Sequence, residues 1–248
     1  MENKPHCLVL SFPAQGHINP MLQFSKLLQQ EGIKITFVTT LFFGKILQKL
    51  PPSITLETIS DGFDNGGIRE AGSFKSYVDH FWQVGPKNLE NLIEKLNRTN
   101  YPIDCVIYDA FYPWVLDVAK KHGIFGVSFL TQNMSVNSIY YHVLVGKIAV
   151  PLDVQEIQLP VLPKLQYKDM PSFLLNYEKD PTFLDLAVGQ FSNIDQADWI
   201  LCNSFYELDE EVNSLTKSSH IFALFSSFMF HYDTVGETRL NSLFKMRN

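Results

Sequence analysis

The chain has 248 residues, a length compatible with one domain or two, and 46% of its residues are hydrophobic while 19% are charged. This composition is that of a globular protein and excludes an intrinsically disordered chain. The net charge of −6 argues against a general affinity for nucleic acid or for anionic membranes, because the sequence has no excess of basic side chains to neutralise phosphates.

The first predicted elements are a strand and a helix joined by a short loop. Residues 8–12 form a largely apolar run, which is typical of a strand in a parallel sheet covered on both faces. The sequence PAQGHIN follows and predicts a loop. Asn19 is a favourable N-cap and Pro20 suits a first helical turn, so we predict a helix that begins here and ends at Gly32. Its apolar face contains Met21, Phe24, Leu27 and Leu28.

Strands and helices continue to alternate up to residue 202. Further strands are predicted at residues 33–38, 54–59, 103–108, 124–130 and 199–202. Further helices are predicted at residues 42–50, 74–96, 113–122, 135–145, 169–174 and 183–194. Pro86 is expected to kink or split the helix at 74–96, because proline lacks a backbone N–H. This alternation predicts an α/β fold with a doubly wound, mostly parallel sheet flanked by helices.

The chain is predicted to contain one domain and an atypical tail. Residues 1–212 show no composition typical of an interdomain linker, so they are expected to fold together. Residues 213–248 mix serine and phenylalanine without a clear period, and we expect this segment to be partly disordered or loosely packed.

The cysteines and the N-terminus predict the compartment. Cys7, Cys105 and Cys202 each lie within an apolar run, where thiols behave as small buried hydrophobes in a reducing environment. The sequence begins MENKPH and shows no signal peptide, and no apolar run approaches the ~20 residues that span a bilayer. We therefore expect a cytoplasmic protein with no membrane span.

Two polar side chains follow predicted strands at positions where ligands usually bind. In open parallel sheets, ligands bind beyond the carboxyl ends of the strands. His17 follows the first strand and Asp109 ends the fourth, so both should lie at the same edge. A histidine can accept a proton from a hydroxyl, and a carboxylate on its other ring nitrogen fixes the tautomer. The two residues are a candidate general-base pair, although the spacing alone leaves an ordinary loop histidine as the alternative.

The sequence lacks the motifs of several other classes of enzyme. The loop after the first strand has only Gly16, where a dinucleotide fold requires G-x-G-x-x-G, and neither a phosphate loop nor a G-x-S-x-G elbow occurs. A small α/β enzyme of another chemistry is therefore disfavoured. Phe81 and Trp82, next to His80, could line a pocket or belong to the core. No metal-ligand spacing is found among the remaining histidines, which are His6, His80, His122, His142, His220 and His231.

Four segments resemble plant UDP-sugar-dependent glycosyltransferases of family 1, which have the two-domain GT-B fold. The most specific is PAQGHINP at residues 13–20. The others are SDGFD at residues 60–64, CVIYDAFYPWVLDVAKKHG at residues 105–123 and WILCNSFYELDEEV at residues 199–212. The resemblance implies that residues 1–212 are the Rossmann-like, acceptor-binding N-terminal domain of such an enzyme.

The resemblance also implies roles for individual residues. His17 matches the general base that deprotonates the acceptor hydroxyl or engages its carboxylate, and Asp109 matches the acid that orients it. The acceptor oxygen would attack the anomeric carbon of UDP-glucose with inversion. The implied substrate-binding residues are Pro13, Gly16, Phe81, Trp82, Thr131, Gln132 and Met134, with Thr131 near the donor sugar. The implied partners are a small phenolic, flavonoid or terpenoid acceptor and a UDP-sugar co-substrate, with no cofactor and no metal.

The sequence also departs from the family. The family's donor domain carries a long signature with a tryptophan, an H-C-G-W-N-S stretch and a closing D-Q, and this signature is not found among these 248 residues. We therefore expect the C-terminal UDP-sugar-binding domain to be absent, UDP-sugar binding to be weak, and transfer by this chain alone to be slow or missing. The alternative is a non-catalytic module that binds small molecules or docks on a partner through apolar surface.

Overall fold

The structure is a computed structural model that describes residues 4–47, 50–160, 162–204 and 221–224. In chain order, its strands are β1 (His6–Leu10), β2 (Lys34–Thr40), β3 (Ile54–Ile59), β4 (Cys105–Asp109), β5 (Phe125–Leu130), β6 (Glu156–Ile157), β7 (Leu165–Gln166), β8 (Trp199–Asn203) and β9 (Ile221–Leu224). Its α-helices are α1 (Gln15–Gln30), α2 (Leu41–Ile46), α3 (Phe74–Asn97), α4 (Trp114–Lys121), α5 (Met134–Leu144), α6 (Ser172–Leu175) and α7 (Thr182–Gly189).

The main sheet has seven strands within the described ranges, in the order β3-β2-β1-β4-β5-β8-β9. Every neighbouring pair in it is parallel. The chain builds outward from β1 through β2 and β3, and then continues on the other side of β1 with β4. The loops after β1 and β4 therefore diverge, which opens a crevice at the carboxyl edge between them. The predicted α/β fold with a doubly wound parallel sheet is confirmed.

The central strands β1, β4 and β5 are buried on both faces, as the apolar runs predicted. Along β1, Leu8 and Leu10 face one core, while Cys7 and Val9 face the other. This alternation follows from the strand period of two. Helices α3, α4, α5 and α7 cover the first face, and α1 and α2 cover the second. Because β1 is central and buried on both sides, the residues that follow it are held on a rigid support.

The predicted start of α1 is wrong. The helix begins at Gln15 with Ala14 as its N-cap, so Asn19 and Pro20 lie inside it rather than at its start. The Ala14 carbonyl accepts the N–H groups of His17 and Ile18 and so closes the first turn without a capping side chain. Pro20 removes only the bond to the Gly16 carbonyl, and Gly16 is exposed, so water can solvate that group. His17 is consequently on a helix and not in a loop.

Pro86 does not split α3, which runs unbroken through it. The core-facing side of the helix buries Tyr77, Phe81, Leu89 and Ile93 against the sheet. This packing outweighs the single hydrogen bond that proline removes, because most helical stability in proteins comes from the buried apolar face.

Several other boundaries differ from the prediction. Helix α7 ends at Gly189 rather than at 194, and α2 ends at Ile46, while residues 48 and 49 of the helix predicted at 42–50 lie outside the described ranges. The irregular segment before residue 165 contributes β6, which pairs with β7 in a small antiparallel ribbon. Strand β9 is an unpredicted addition to the sheet from within 213–248, and it pairs with β8. The boundary at 212 and the rest of that segment lie outside the described residues.

Two further predictions concern buried cysteines and membrane spans. Cys7, Cys105 and Cys202 are all buried, at 0%, 5% and 0% exposure. Among the helices that the structure describes, none combines the length and the apolar character needed to cross a membrane.

Candidate functional site

The predicted pair of His17 and Asp109 lies in the crevice beside β1 and β4. His17 is in the first turn of α1, and Asp109 is the last residue of β4. The Nδ1 atom of His17 lies 2.7 Å from Oδ2 of Asp109. Because β1 and β4 are parallel neighbours with Leu10 opposite Tyr108, the segments that follow them reach the same edge together. The structure therefore brings the two residues into direct contact.

The Asp109 carboxylate is buried and held by the backbone. Its side chain is 1% exposed. The N–H of Phe111 donates to Oδ1 at 3.1 Å, and the N–H of Phe12 lies 3.4 Å from Oδ2. A buried charge is costly unless polar groups surround it, and these N–H groups together with His17 supply that environment. The carboxylate is thus fixed in place before any ligand binds.

Asp109 also sets the protonation of His17. Burial lowers the pKa of His17, but the negative charge of Asp109 and the hydrogen bond to it raise the pKa more, so that the net shift is upward from 6.5. A neutral His17 whose Nδ1–H donates to Asp109 leaves Nε2 with a free lone pair. Among the described residues, none hydrogen-bonds to Nε2. The ring can therefore accept a proton at Nε2 while Asp109 stabilises the resulting positive charge.

This raised pKa predicts how stability depends on pH. The pair stabilises the folded chain fully below pH ~6.5, and this contribution is lost as the pH rises through the higher folded pKa of His17. We expect the difference in free energy of unfolding between the wild type and His17→Gln to shrink over that window, measured by urea denaturation from pH 5 to 9. Asp109→Asn should remove the same pH dependence. A difference between wild type and His17→Gln that stays constant with pH would contradict this expectation.

Thr131, Gln132 and Met134 follow β5 at the same edge of the sheet. The Thr131 hydroxyl lies 3.2 Å from Nδ1 of His17. The Gln132 Oε1 atom is buried and has no hydrogen-bond partner within the described part of the chain. Met134 begins α5 and is 7% exposed. The structure therefore places Thr131 in contact with the pair, while Gln132 and Met134 lie one and three residues further along the chain.

The other predicted substrate-binding residues are distributed differently. Pro13 is buried in the turn between β1 and α1, and Gly16 is exposed as the second residue of α1. Phe81 is 1% exposed and belongs to the core, whereas Trp82 is 40% exposed. Phe81 contacts Tyr112 at a ring-centroid distance of 5.1 Å rather than His17. The structure does not bring Phe81 and Trp82 together with the pair, and as helix neighbours they point in different directions.

Sequence reasoning missed the two aromatic residues that contact His17. The ring centroid of Phe12 lies 5.1 Å from that of His17, and the ring centroid of Phe111 lies 4.8 Å from it. The only sequence signal was position, since Phe12 follows β1 and Phe111 comes two residues after Asp109. Both phenylalanines lie in the segments that the parallel sheet brings to one edge.

One group of side chains away from this site has the composition of a metal site. Glu90, Glu94 and His122 each have a ligand atom within 4.8 Å of the others. However, Glu90 is already paired with Lys87 and Lys121, and hydrogen bonds from Lys121 and then Lys87 lower its pKa to about 2. These ion pairs account for the cluster, so we assign it no metal.

Comparison with curated proteins identifies relatives over most of the chain. No protein-family model matches it. UDP-glycosyltransferase 74F2 of Arabidopsis thaliana is 39% identical over 217 residues, which cover 87% of this chain and 47% of the relative. Flavonol 7-O-beta-glucosyltransferase UGT74F1 of the same plant is 38% identical over 205 residues, which cover 82% of this chain and 44% of that protein. The chain spans about half the length of the curated relatives it matches.

A solved structure shares the fold. The crystal structure of Os79 from O. sativa in complex with UDP superimposes with a TM-score of 0.80 at 29% identity, and the match covers 89% of this chain and 51% of that chain. The structural match has nearly the same extent as the sequence matches. By its sequence and its fold, the chain is therefore similar to the plant UDP-glycosyltransferases of the GT-B fold and matches about half of their length.

Proposed function

We propose that this chain provides the acceptor-binding half of a UDP-glycosyltransferase, with His17 as general base and Asp109 as the residue that orients it. The observation that carries the proposal is the 2.7 Å contact between Nδ1 of His17 and Oδ2 of Asp109, at the carboxyl edge between β1 and β4. This contact leaves Nε2 of His17 available for the acceptor.

The proposed reaction is an in-line displacement. Nε2 of His17 takes the proton of the acceptor hydroxyl as the acceptor oxygen forms a bond to the anomeric carbon of UDP-glucose. The bond between that carbon and the diphosphate oxygen breaks, and its electron pair leaves with UDP. Because attack and departure occur on opposite faces, the configuration inverts. The imidazolium formed at His17 is stabilised by the buried charge of Asp109.

We propose that the acceptor is a small phenolic, flavonoid, terpenoid or related molecule, glucosylated at a hydroxyl or a carboxyl group. One relative is named for a flavonol, which is a flat aromatic phenol. The surroundings of His17 agree with an apolar acceptor, because the Phe12 and Phe111 side chains lie against its ring. Apolar walls with a few placed polar groups are typical of small-molecule sites.

The UDP-sugar is a co-substrate in this proposal. We propose that Thr131 contacts the donor sugar, and the 3.2 Å distance between its hydroxyl and Nδ1 of His17 supports this role. Tight binding of UDP is proposed to need the half of the relatives that this chain does not match. Without that binding free energy, the entropic cost of joining donor and acceptor is not offset. We therefore expect little transfer by these 248 residues alone.

The experiment compares this chain with a chimera in which residues 1–212 replace the matching half of a full-length relative. Each protein is incubated with UDP-glucose and a panel of phenolic and carboxylic acceptors, and products are measured by mass spectrometry. The chimera is expected to transfer glucose, and the chain alone should be far slower. A folded chimera that binds UDP and acceptors yet forms no product would refute the catalytic proposal and favour the non-catalytic binding module.

A further inference from the structure

Two phenylalanines pack against the imidazole of His17. Phe12 lies just beyond β1 and Phe111 just beyond β4, and their side chains are 4% and 3% exposed. Their rings are tilted against the His17 ring by 46° and 53°, at centroid distances of 5.1 Å and 4.8 Å. The two rings also contact each other edge-on at 5.7 Å. The imidazole therefore packs against two contacting rings that come from two different strand ends.

The same two residues also hold Asp109, but through their backbones. The N–H of Phe111 donates to Oδ1 at 3.1 Å, and the N–H of Phe12 approaches Oδ2 at 3.4 Å. Each phenylalanine thus contacts both members of the pair, with its ring on His17 and its amide on Asp109. Displacement of either phenylalanine would therefore disturb both His17 and Asp109.

The phenylalanine rings are themselves fixed by their neighbours. Phe12 contacts Tyr112 at 5.5 Å and Phe74 at 6.3 Å between ring centroids. Tyr112 in turn contacts Phe81 at 5.1 Å. Close packing of this kind leaves little room for a side chain to change rotamer. The Phe12 ring cannot move aside without disturbing the core.

This arrangement has a consequence for the histidine. An imidazole can turn about its Cβ–Cγ bond and can carry its proton on either nitrogen. The two rings packed against the imidazole oppose that turn and keep water from competing for the Asp109 carboxylate, and a drier environment strengthens the hydrogen bond between the pair. Only the orientation with Nδ1–H on Asp109 leaves Nε2 free to act as a base.

We propose that Phe12 and Phe111 are positioning residues that fix the orientation and the tautomer of His17, their rings acting on the imidazole and their amides on Asp109. The use of this orientation for catalysis rests on the proposed function, whereas the orientation itself does not. The role of the rings can be tested separately from the role of the amides, because the amides remain when the rings are replaced.

The test uses the full chain labelled with ¹⁵N-histidine, in which the His17 nitrogen signals are identified by their loss in His17→Ala. The wild type is expected to show one neutral tautomer, with the proton on Nδ1. Phe12→Leu and Phe111→Leu retain the amides but remove the flat rings, and each should lower the ratio of Nδ1–H to Nε2–H by about tenfold as the charge-assisted hydrogen bond weakens. Phe111→Tyr retains an aromatic ring and should show the same ratio as the wild type.

The tautomer ratio is measured because a change in the pKa of His17 could not be assigned to a single cause. Water entering beside the ring would relieve the burial of His17 and also weaken the attraction of Asp109, and these effects move the pKa of His17 in opposite directions. The matched control is Phe24→Leu. Phe24 is 5% exposed, belongs to the core on the other face of the sheet, and should leave the ratio unchanged.

Three results would overturn the proposal: a mixture of tautomers in the wild type, an unchanged ratio in a folded Leu variant, or an equal change in Phe24→Leu. A mixture of tautomers in the wild-type spectrum would overturn the proposal even where a variant fails to fold. If the Leu variants shift the tautomer while His17→Ala leaves transfer by the chimera intact, the positioning role stands and the proposed catalytic function fails.

Discussion

Replacing His17 with alanine in the chimera is expected to lower kcat for glucosyl transfer to a hydroxyl acceptor by about 10²–10⁴-fold, the usual contribution of a general base. The proton of the acceptor is removed as the new bond forms, so the loss should fall on kcat more than on KM. Initial rates with a fixed acceptor at saturating UDP-glucose measure it.

The control for this substitution is Gln23→Ala, an exposed position on the same helix as His17. This variant should retain the wild-type rate, which separates loss of the base from damage to α1. If His17→Ala keeps most of the activity while it remains folded, His17 does not act as the general base.

Replacing Asp109 with asparagine in the same chimera is expected to reduce kcat by about 10³-fold. Asparagine has the same shape, but it has no charge to stabilise an imidazolium. Its amide can also donate to Nδ1, which would place the histidine proton on Nε2 and block the base. Because Asp109 raises the pKa of His17, its removal should also shift the ascending limb of the pH–rate profile to lower pH.

The control for Asp109→Asn is Asp117→Asn, which makes the same change of charge at an exposed position on α4. The control should leave both the rate and the pH profile unchanged. An Asp109→Asn chimera with a wild-type pH profile would show that the charge of Asp109 does not act on the base.

The position of His17 and Asp109 could be predicted because it depends on strand ends. Unbroken apolar runs located β1 and β4, and parallel neighbours end at one edge of the sheet. That rule is enough to place His17 near Asp109, and the 2.7 Å contact in the structure agrees with it. The roles of the two residues came from the resemblance and remain proposals.

The start of α1 could not be predicted from local signals. Asn19 and Pro20 together form a strong start signal, yet the helix begins four residues before Asn19, with no capping side chain at Ala14. The first turn is set by where β1 ends and by the hydrogen bonds to the Ala14 carbonyl. Tertiary context therefore overrides local capping preference, and it places His17 on a helix.

The aromatic residues that contact His17 could not be predicted from the sequence either. The resemblance implies Phe81 and Trp82 as substrate-binding residues, but Phe81 is 1% exposed and Trp82 is 40% exposed, and neither contacts His17. Phe12 and Phe111 both contact His17, although they lie 99 positions apart in the sequence. Contacts between side chains from different strands depend on register and rotamer, which no spacing rule supplies.

The measurement that most directly tests the central claim is a double-mutant comparison in the chimera, with kcat determined for His17→Ala, for Asp109→Asn and for the variant that carries both. If Asp109 acts through His17, the double variant should be about as slow as His17→Ala alone, because residues that act as a unit are strongly non-additive. A double variant slowed by the product of the two single effects would show that the two residues act independently and would contradict the account.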